Sequence, residues 1–317
     1  MARLYLRRVI VEIIPQAGSI VRVDGLRIKF KVEKTNEGNP NKCEIIIYNL
    51  SDKTISLLQT KLTKVILYAG YQSSFPKNTP HTIASNPEVG QQNIQTDTTI
   101  EPIFKGDITK TVNKKSKKEK KDPYSTKESK EGADTLTHIE LHDGDNAFRN
   151  SRFSKGYPPG TSNKVIFQDI AAQAGVPVAS LDGIPDFIYA NGITFQGLIR
   201  DHLFKLCDKN NLDWSFQEET LQVVPKESTT KDQPILLNST SGLIGIPMRT
   251  SRGCEFRALL QGGFKIGRKV TINEQKFTVG GLAKSTPANG NYKIVKVIHN
   301  GDNWGGDFFS ECEAHSI

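Results

Sequence analysis

The chain has 317 residues, 36% of them apolar, and a formal net charge of +8 from 42 Lys plus Arg against 34 Asp plus Glu. That length suits two or three domains, and the low apolar fraction points to a strand- and loop-rich chain with segments outside any core. No apolar run reaches the roughly 18 residues of a transmembrane helix, Arg3, Arg7 and Arg8 break the N-terminal apolar stretch and argue against a signal peptide, and four scattered cysteines without a CxxC pair exclude a disulfide scaffold or a local zinc knuckle and fit a reducing compartment.

Taken in order, residues 5–14 and 20–34 read as strands, with Asp24-Gly25 as a tight-turn signal. Residues 43–50 form another strand, and Ser51 suits the N-cap of a short helix. Strands follow at 65–71, 100–112 and 135–143. Two polar loops, 72–99 and 110–134, interrupt this β domain of about seven strands. The middle changes character. Residues 161–175 carry Phe167, Ile170, Ala171 and Ala174 at helical spacing, with Ser162 as N-cap and Gly175 as C-terminal stop. Residues 194–209 predict a second helix capped by Thr194, and 212–226 a hairpin whose turn is Glu218-Glu219-Thr220. From 233 onward, five or six short strands alternate with Gly-rich breaks.

The charge is concentrated. Residues 110–130 hold nine Lys and three acids, a local +6 out of the total +8. A basic tract can bind phosphate backbones, but this one has a single aromatic, Tyr124, and no Arg. Stacking and bidentate recognition are therefore missing, and a solvated loop is the favoured reading.

Chemistry-bearing constellations are few. His138, Glu140 and His142 share one face of a strand and hold metal-binding groups, yet no further ligand is recognisable by spacing and a plain polar face is preferred. Asp143 and Asp145 look like the start of a calcium loop, but the twelfth position is Ser154 instead of Glu, so the segment reads as a turn. GxSxG and P-loop patterns are absent, and Gly262–Gly267 opens no helix. Glu218 and Glu219 are adjacent in a turn and point apart, unlike a glycosidase pair. Trp214 reads as core, Trp304 as an exposed contact residue, His299 as structural, and Cys43, Cys207, Cys254 and Cys312 as buried thiols. No catalytic, cofactor-binding or metal-binding residue is nominated.

Four stretches resemble baseplate hub proteins of contractile phage tails, a family that also forms the N-terminal part of type VI secretion spike proteins. These are Phe30–Leu58, with its strand ending IYNLS before a short helix; Phe104–Ile108 with the later LHDGD; Gly160–Lys226, with IAAQAG and a Trp-containing hairpin; and the closing GRKVTI and GNYKIVKVIHNGDNWGGDFFSECEA. They follow one another in family order, whereas the two polar loops depart from it. The resemblance implies a mainly β protein: two tail-tube-like β-barrel or sandwich domains, 1–154 and 233–317, flanking a small helix-helix-hairpin α+β module, 155–232. It also implies a homotrimer that joins a hexameric tail tube protein to a trimeric central spike protein, with the module facing baseplate wedge proteins. DNA passes the central channel only as cargo. The expected location is the virion baseplate, after assembly in the host cytoplasm, with no membrane anchoring and no enzymatic activity. The chain ends soon after the second barrel, so the spike is expected to be a separate protein. Two other classes stay open: a nucleic-acid-binding protein using the Lys-rich loop 110–130, and a tail-tip peptidoglycan hydrolase.

Overall fold

The structure, a computed structural model, describes residues 6–60, 63–72, 100–115, 134–181, 183–273, 278–279, 282–283 and 288–317. The first third contains β1 (Leu6–Ile14), β2 (Val21–Val23), β3 (Ile28–Thr35), β4 (Lys42–Tyr48), α1 (Asp52–Leu58), β5 (Lys64–Gln72), β6 (Glu101–Lys115) and β7 (Thr135–His142). The middle contains α2 (Asp145–Asn150), β8 (Arg152–Tyr157), β9 (Thr161–Ser162), α3 (Asn163–Ala174), β10 (Ile188–Tyr189), β11 (Ile193–Leu198), α4 (Ile199–Lys209), β12 (Leu212–Gln217) and β13 (Thr220–Pro225). The last part contains β14 (Ile235–Leu237), β15 (Leu243–Arg249), β16 (Gly253–Leu259), β17 (Lys269–Ile272), β18 (Thr278–Val279), β19 (Leu282–Ala283), β20 (Gly290–Asp302) and β21 (Phe308–Ser316).

The protein is mainly β; α2, α3 and α4 lie in the middle part with the β12–β13 hairpin, while α1 packs into the first core through Ile55 and Leu58. Alternation does the folding work. In β3 the buried set is Ile28, Phe30, Val32 and Lys34, while Lys29, Lys31, Glu33 and Thr35 turn outward. Three apolar cores result. One centres on Val11, Ile45, Leu67, Phe104 and Ile139, a second on Phe167, Leu203, Trp214, Phe216 and Leu221, and a third on Phe256, Phe264, Val270 and Ile294. Each fully buried Phe or Ile contributes about 1.5–3 kcal/mol relative to exposure.

Several local expectations hold. Ser51 Oγ accepts from the Thr54 N–H at the start of α1. Ser162 caps α3, and Gly175 ends it at φ 70. Others need correction. Thr194 caps no helix: it lies in β11, which pairs with β8, and α4 begins only at Ile199. The HDGD segment is more than a turn, because Gly144 at φ 63 starts α2. The expected loop 110–134 begins later, since Lys110–Lys115 continue β6 opposite Thr135–Glu140; a lysine suits the outward side of a strand as well as a loop. Gln72 closes β5, and the remainder of both expected loops, 73–99 and 116–133, lies outside the described residues. The Asp24-Gly25 turn forms, with Gly25 at φ 81, but its flanking strands part company: β2 pairs with β1, and β3 with β4 and β20.

That last pairing shapes the molecule. β20 joins β3 from Lys296↔Thr35 to Asp302↔Lys29, so the two β-rich parts share one sheet. Its order runs β15-β16-β21-β20-β3-β4-β7-β6-β5-β1-β2. Two runs of four repeat a single plan, β15-β16-β21-β20 and β3-β4-β7-β6. Cys43 and Glu44 face Leu141 and Glu140, as Cys254 and Glu255 face Ala314 and Glu313. β6 is bulged between Ile108↔Leu141 and Lys110↔Glu140; β20 is bulged between Ile294↔Ala314 and Lys296↔Glu313. The first part of each bulged strand is flanked by a Lys-Val strand, Lys64-Val65 against β6 and Lys269-Val270 against β20. A shared bulge at the same register marks a repeated structural unit.

Candidate functional site

From β16 to β6 the sheet turns a row of charged side chains to one face, and β15 adds the exposed Ile244, Ile246 and Met248 at its end. Glu44, His138, Glu140 and Lys110 stand on it in one half, and Glu255, Arg257, Glu311, Glu313 and Lys296 in the other. Several of its charges are paired: Lys110–Glu140 at 3.1 Å, Arg257–Glu311 at 2.8 Å, Lys296–Glu33 at 3.3 Å, and His138 Nε2 at 3.9 Å from Glu44. His138, Glu140 and His142 do share this face of β7. Among the described residues no cluster of three metal-ligating side chains occurs.

One end of this face carries the helical module, held by a knot of buried polar groups. Asp143, 1% exposed, follows β7 and accepts the Glu218 and Glu219 backbone N–H groups, both at 2.7 Å. Those two residues form the β12–β13 turn at φ 56 and φ 61, a left-handed conformation unfavourable for Glu. The carboxylate beneath offsets that strain. Burial pushes the Asp143 pKa up to about 6, against the opposing pull of the Glu219 N–H, Lys34, the Glu218 N–H and Asn41. The Glu218 and Glu219 side chains point apart, as their adjacency requires. Glu218 meets the buried Lys34 at 3.4 Å, while Glu219 meets Lys64 and, at 2.7 Å, Lys105. Asn41 donates to the Phe216 carbonyl at 2.7 Å.

The second half is tied to the same hairpin. Lys293 on β20 is buried and donates to Asp213 at 3.1 Å and to the carbonyls of Pro225 at 3.0 Å and Lys226 at 3.1 Å. Burial lowers its pKa, and Asp213 resists. Trp214 packs on Gly38, where an added Cβ would come within 2.8 Å of the indole. Hairpin β12–β13 thus fastens β3, β5, β6 and β20 together.

The opposite end of the face carries the β20–β21 tip. Asp302 is clamped by Arg27 at 2.8 Å and Lys29 at 3.6 Å, and accepts the Trp304 N–H at 2.9 Å. Burial raises the Asp302 pKa, but Arg27, the Trp304 N–H and Lys29 together hold it below the ordinary value. Asn303 bonds Leu26 O at 2.7 Å and accepts the Ile28 N–H at 2.8 Å. Arg7 donates to the Gly305 and Gly306 carbonyls. On this fixed tip Trp304 is 72% exposed, the posture of a preorganised contact residue.

The remaining reactive groups are buried. All four cysteines are free and buried, and burial pushes their thiols up, that of Cys254 to about 12. His299, bonded to Ser310 at 2.8 Å, is held neutral by burial, which lowers its pKa to about 3. Among the described residues no helix is long and apolar enough to cross a membrane.

The fold recurs in solved structures. A tail protein from Neisseria meningitidis MC58 superposes with a TM-score of 0.60 at 8% identity, covering 98% of this chain and 97% of that one. The 43 kDa tail protein of prophage MuSo2 from Shewanella oneidensis gives 0.56 at 8% identity, covering 98% and 97%. The E. coli c3393 protein, a type VI secretion component described as similar to T4 bacteriophage tail proteins gp27 and gp5, gives 0.53 at 8% identity, covering 92% and 74%. The chain has the fold of phage tail proteins. No family model and no curated protein matches its sequence. Within the tail-protein fold, the knot at Asp143, Lys34 and Lys293 escaped sequence reading. Its members lie in distant segments; the LHDGD acids and the Glu218-Glu219 turn drew notice separately, but nothing local joins them to Lys34 or Lys293.

Proposed function

We propose that the chain is a structural hub of a phage tail baseplate: a trimeric adaptor between a hexameric tail tube and a trimeric central spike. In this reading it is a virion component assembled in the host cytoplasm and acts without catalysis. The observation that supports it is the duplicated four-strand unit. Three chains would present six like units to a sixfold tube and three identical chains to a threefold spike. The charged face, whose basic groups Lys110, Arg257 and Lys296 are each paired with a carboxylate, suits the wall of a channel that DNA traverses without sticking, because neutralised cations leave little attraction for phosphate. The module, at one end of the sheet, suits contact with surrounding wedge proteins.

Light scattering of the purified chain, alone and with the tube protein, tests this reading. The expected mass is that of a trimer. A monomer that persists with tube protein present overturns it. Replacing residues 116–133 by a short turn leaves the trimer intact on this reading. Loss of a salt-sensitive DNA affinity on the same replacement would favour nucleic-acid binding instead.

A further inference from the structure

The knot beneath the hairpin sets a buried amine, a buried amide and a buried carboxyl side by side. Glu33 faces Lys42, and Lys42 faces His142. The adjoining residues Lys34, Asn41 and Asp143 therefore stand in one row across three neighbouring strands. The Asp143 N–H continues that pairing, bonding the Asn41 carbonyl at 3.0 Å. All three side chains turn inward with the core residues of their strands and are 3%, 2% and 1% exposed.

Lys34 is poorly satisfied for a buried cation. An ammonium offers three donors, and the partner of Lys34 among the described residues is Glu218 Oε1 at 3.4 Å. The other buried lysine, Lys293, has three acceptors at 3.0–3.1 Å. Directly opposed residues of an antiparallel pair have β-carbons about 4.5–5.5 Å apart, a gap that the four-carbon stem of Lys34 spans.

Asn41 is held at both ends of its amide. Its Oδ1 accepts the Thr35 N–H at 3.0 Å, and its Nδ2 donates to Asp143 Oδ2 at 3.3 Å. The first contact stabilises negative charge on the amide oxygen, and the second puts a carboxyl against the amide nitrogen. Burial raises the Asp143 pKa to about 6, where a carboxyl both takes and gives a proton near neutrality.

We propose that Lys34 and Asn41 join in an intramolecular isopeptide bond, which the chain forms by itself with Asp143 transferring the proton. Lys34 Nζ, as the free amine, attacks Asn41 Cγ. The new C–N bond forms while the carbonyl electron pair moves onto Oδ1, beside the Thr35 N–H. Asp143 takes one proton from Nζ and gives one to Nδ2. The carbonyl then reforms, the Cγ–Nδ2 bond breaks, and ammonia leaves. One amide replaces another, and Asp143 ends as it began.

The bond serves the junction of module and sheet. Residues 35–40, between the two joined positions, seat the hairpin. Asn36 donates to Asp213 at 3.1 Å, the Thr35 carbonyl accepts from Gln217 at 3.1 Å, and Gly38 lies under the Trp214 indole. Joining Lys34 to Asn41 closes that loop covalently at its base and removes a buried charge with too few partners. It forms within one chain, whatever the number of copies in the assembly.

Intact mass spectrometry of the purified full chain tests the bond. The expected mass is one ammonia short of the mass that the sequence requires. Trypsin is then expected to leave Lys34 uncut, so that Val32–Lys42 appears as one peptide with the same deficit and no fragment ions from between Lys34 and Asn41. A full mass, cleavage after Lys34, or a deficit that maps to another asparagine overturns the proposal. Lys34→Arg and Asn41→Ala variants are expected to have their full masses, and a deficit that survives in either also overturns it. Asp143→Asn, checked for a native circular dichroism spectrum, is expected to have its full mass too. A deficit there as complete as in the native chain overturns the role given to Asp143.

Discussion

Replacing Asp143 by Asn turns a titrating group into a silent one at the point where the hairpin is fastened. The native carboxylate has a pKa near about 6, against the ordinary 3.8 that applies when unfolded. The folded state therefore binds more protons than the unfolded state between those values. Its stabilising contribution is complete below 3.8 and is lost as pH rises through 6. For a shift of that size, the linkage relation gives the native chain a gain of about 1.3 kcal/mol over the variant on going from about pH 7 to about pH 5. Asn also loses one of the two N–H contacts, since its amide nitrogen cannot accept, but that cost is independent of pH. The carboxylates held below their ordinary range, Asp302, Glu219 and Asp169, titrate alike in both proteins and cancel in the difference. Denaturant melts of both chains at three pH values, at equal protein concentration, read the difference directly. A difference that stays constant with pH, or one that moves against the native chain on acidification, refutes the buried-carboxylate account of the junction.

Lys293→Met removes the donor to Asp213 and two carbonyls; the expected loss is about 3 kcal/mol in denaturant melts, and a loss under about 1 kcal/mol contradicts the role given to this lysine. Acrylamide is expected to quench Trp304 but hardly Trp214, which is 8% exposed, so Trp304→Phe should abolish most quenching while leaving the melting curve unchanged.

Local structure was readable where a single segment carries its own instructions. Ser51, Ser162 and Gly175 end helices by chemistry contained within a few residues. The 212–226 hairpin follows from its alternation. Thr194 misled because β11 runs straight into α4, so apolar spacing continues across the change of structure. The punctuation there is Gly197 at φ 142 within the strand, not a polar cap. What no local pattern holds is the choice of partner. β3 and β20 are far apart in sequence, and alternation tells which side of a strand is buried but not which strand lies beside it. The duplication escaped for a related reason. Its shared residues are Cys-Glu, Ile-x-Lys and Lys-Val, and the connections between them differ in length. The polar knot is illegible in the same way, being assembled from Asn41, Asp143, the 218–219 turn and Lys34.

The differences between the two repeated units bear on which partner each surface serves. The strands and the bulge are common to both units, as is the polar face. On the hub reading, a sixfold partner meets the same strand framework in every unit. The ends are not common. The first unit has α1 after β4, where the second has turns after β16. The β20–β21 connection is the short tip with Trp304, whereas the β6–β7 connection runs through residues 116–134. The module follows β7 of the first unit. On the hub reading, each of these features occurs three times per ring and breaks the approximate sixfold symmetry down to threefold. Contacts that distinguish a threefold spike from a sixfold tube must use them, and Trp304, rigidly held and exposed, is the one whose side chain is ready to be buried.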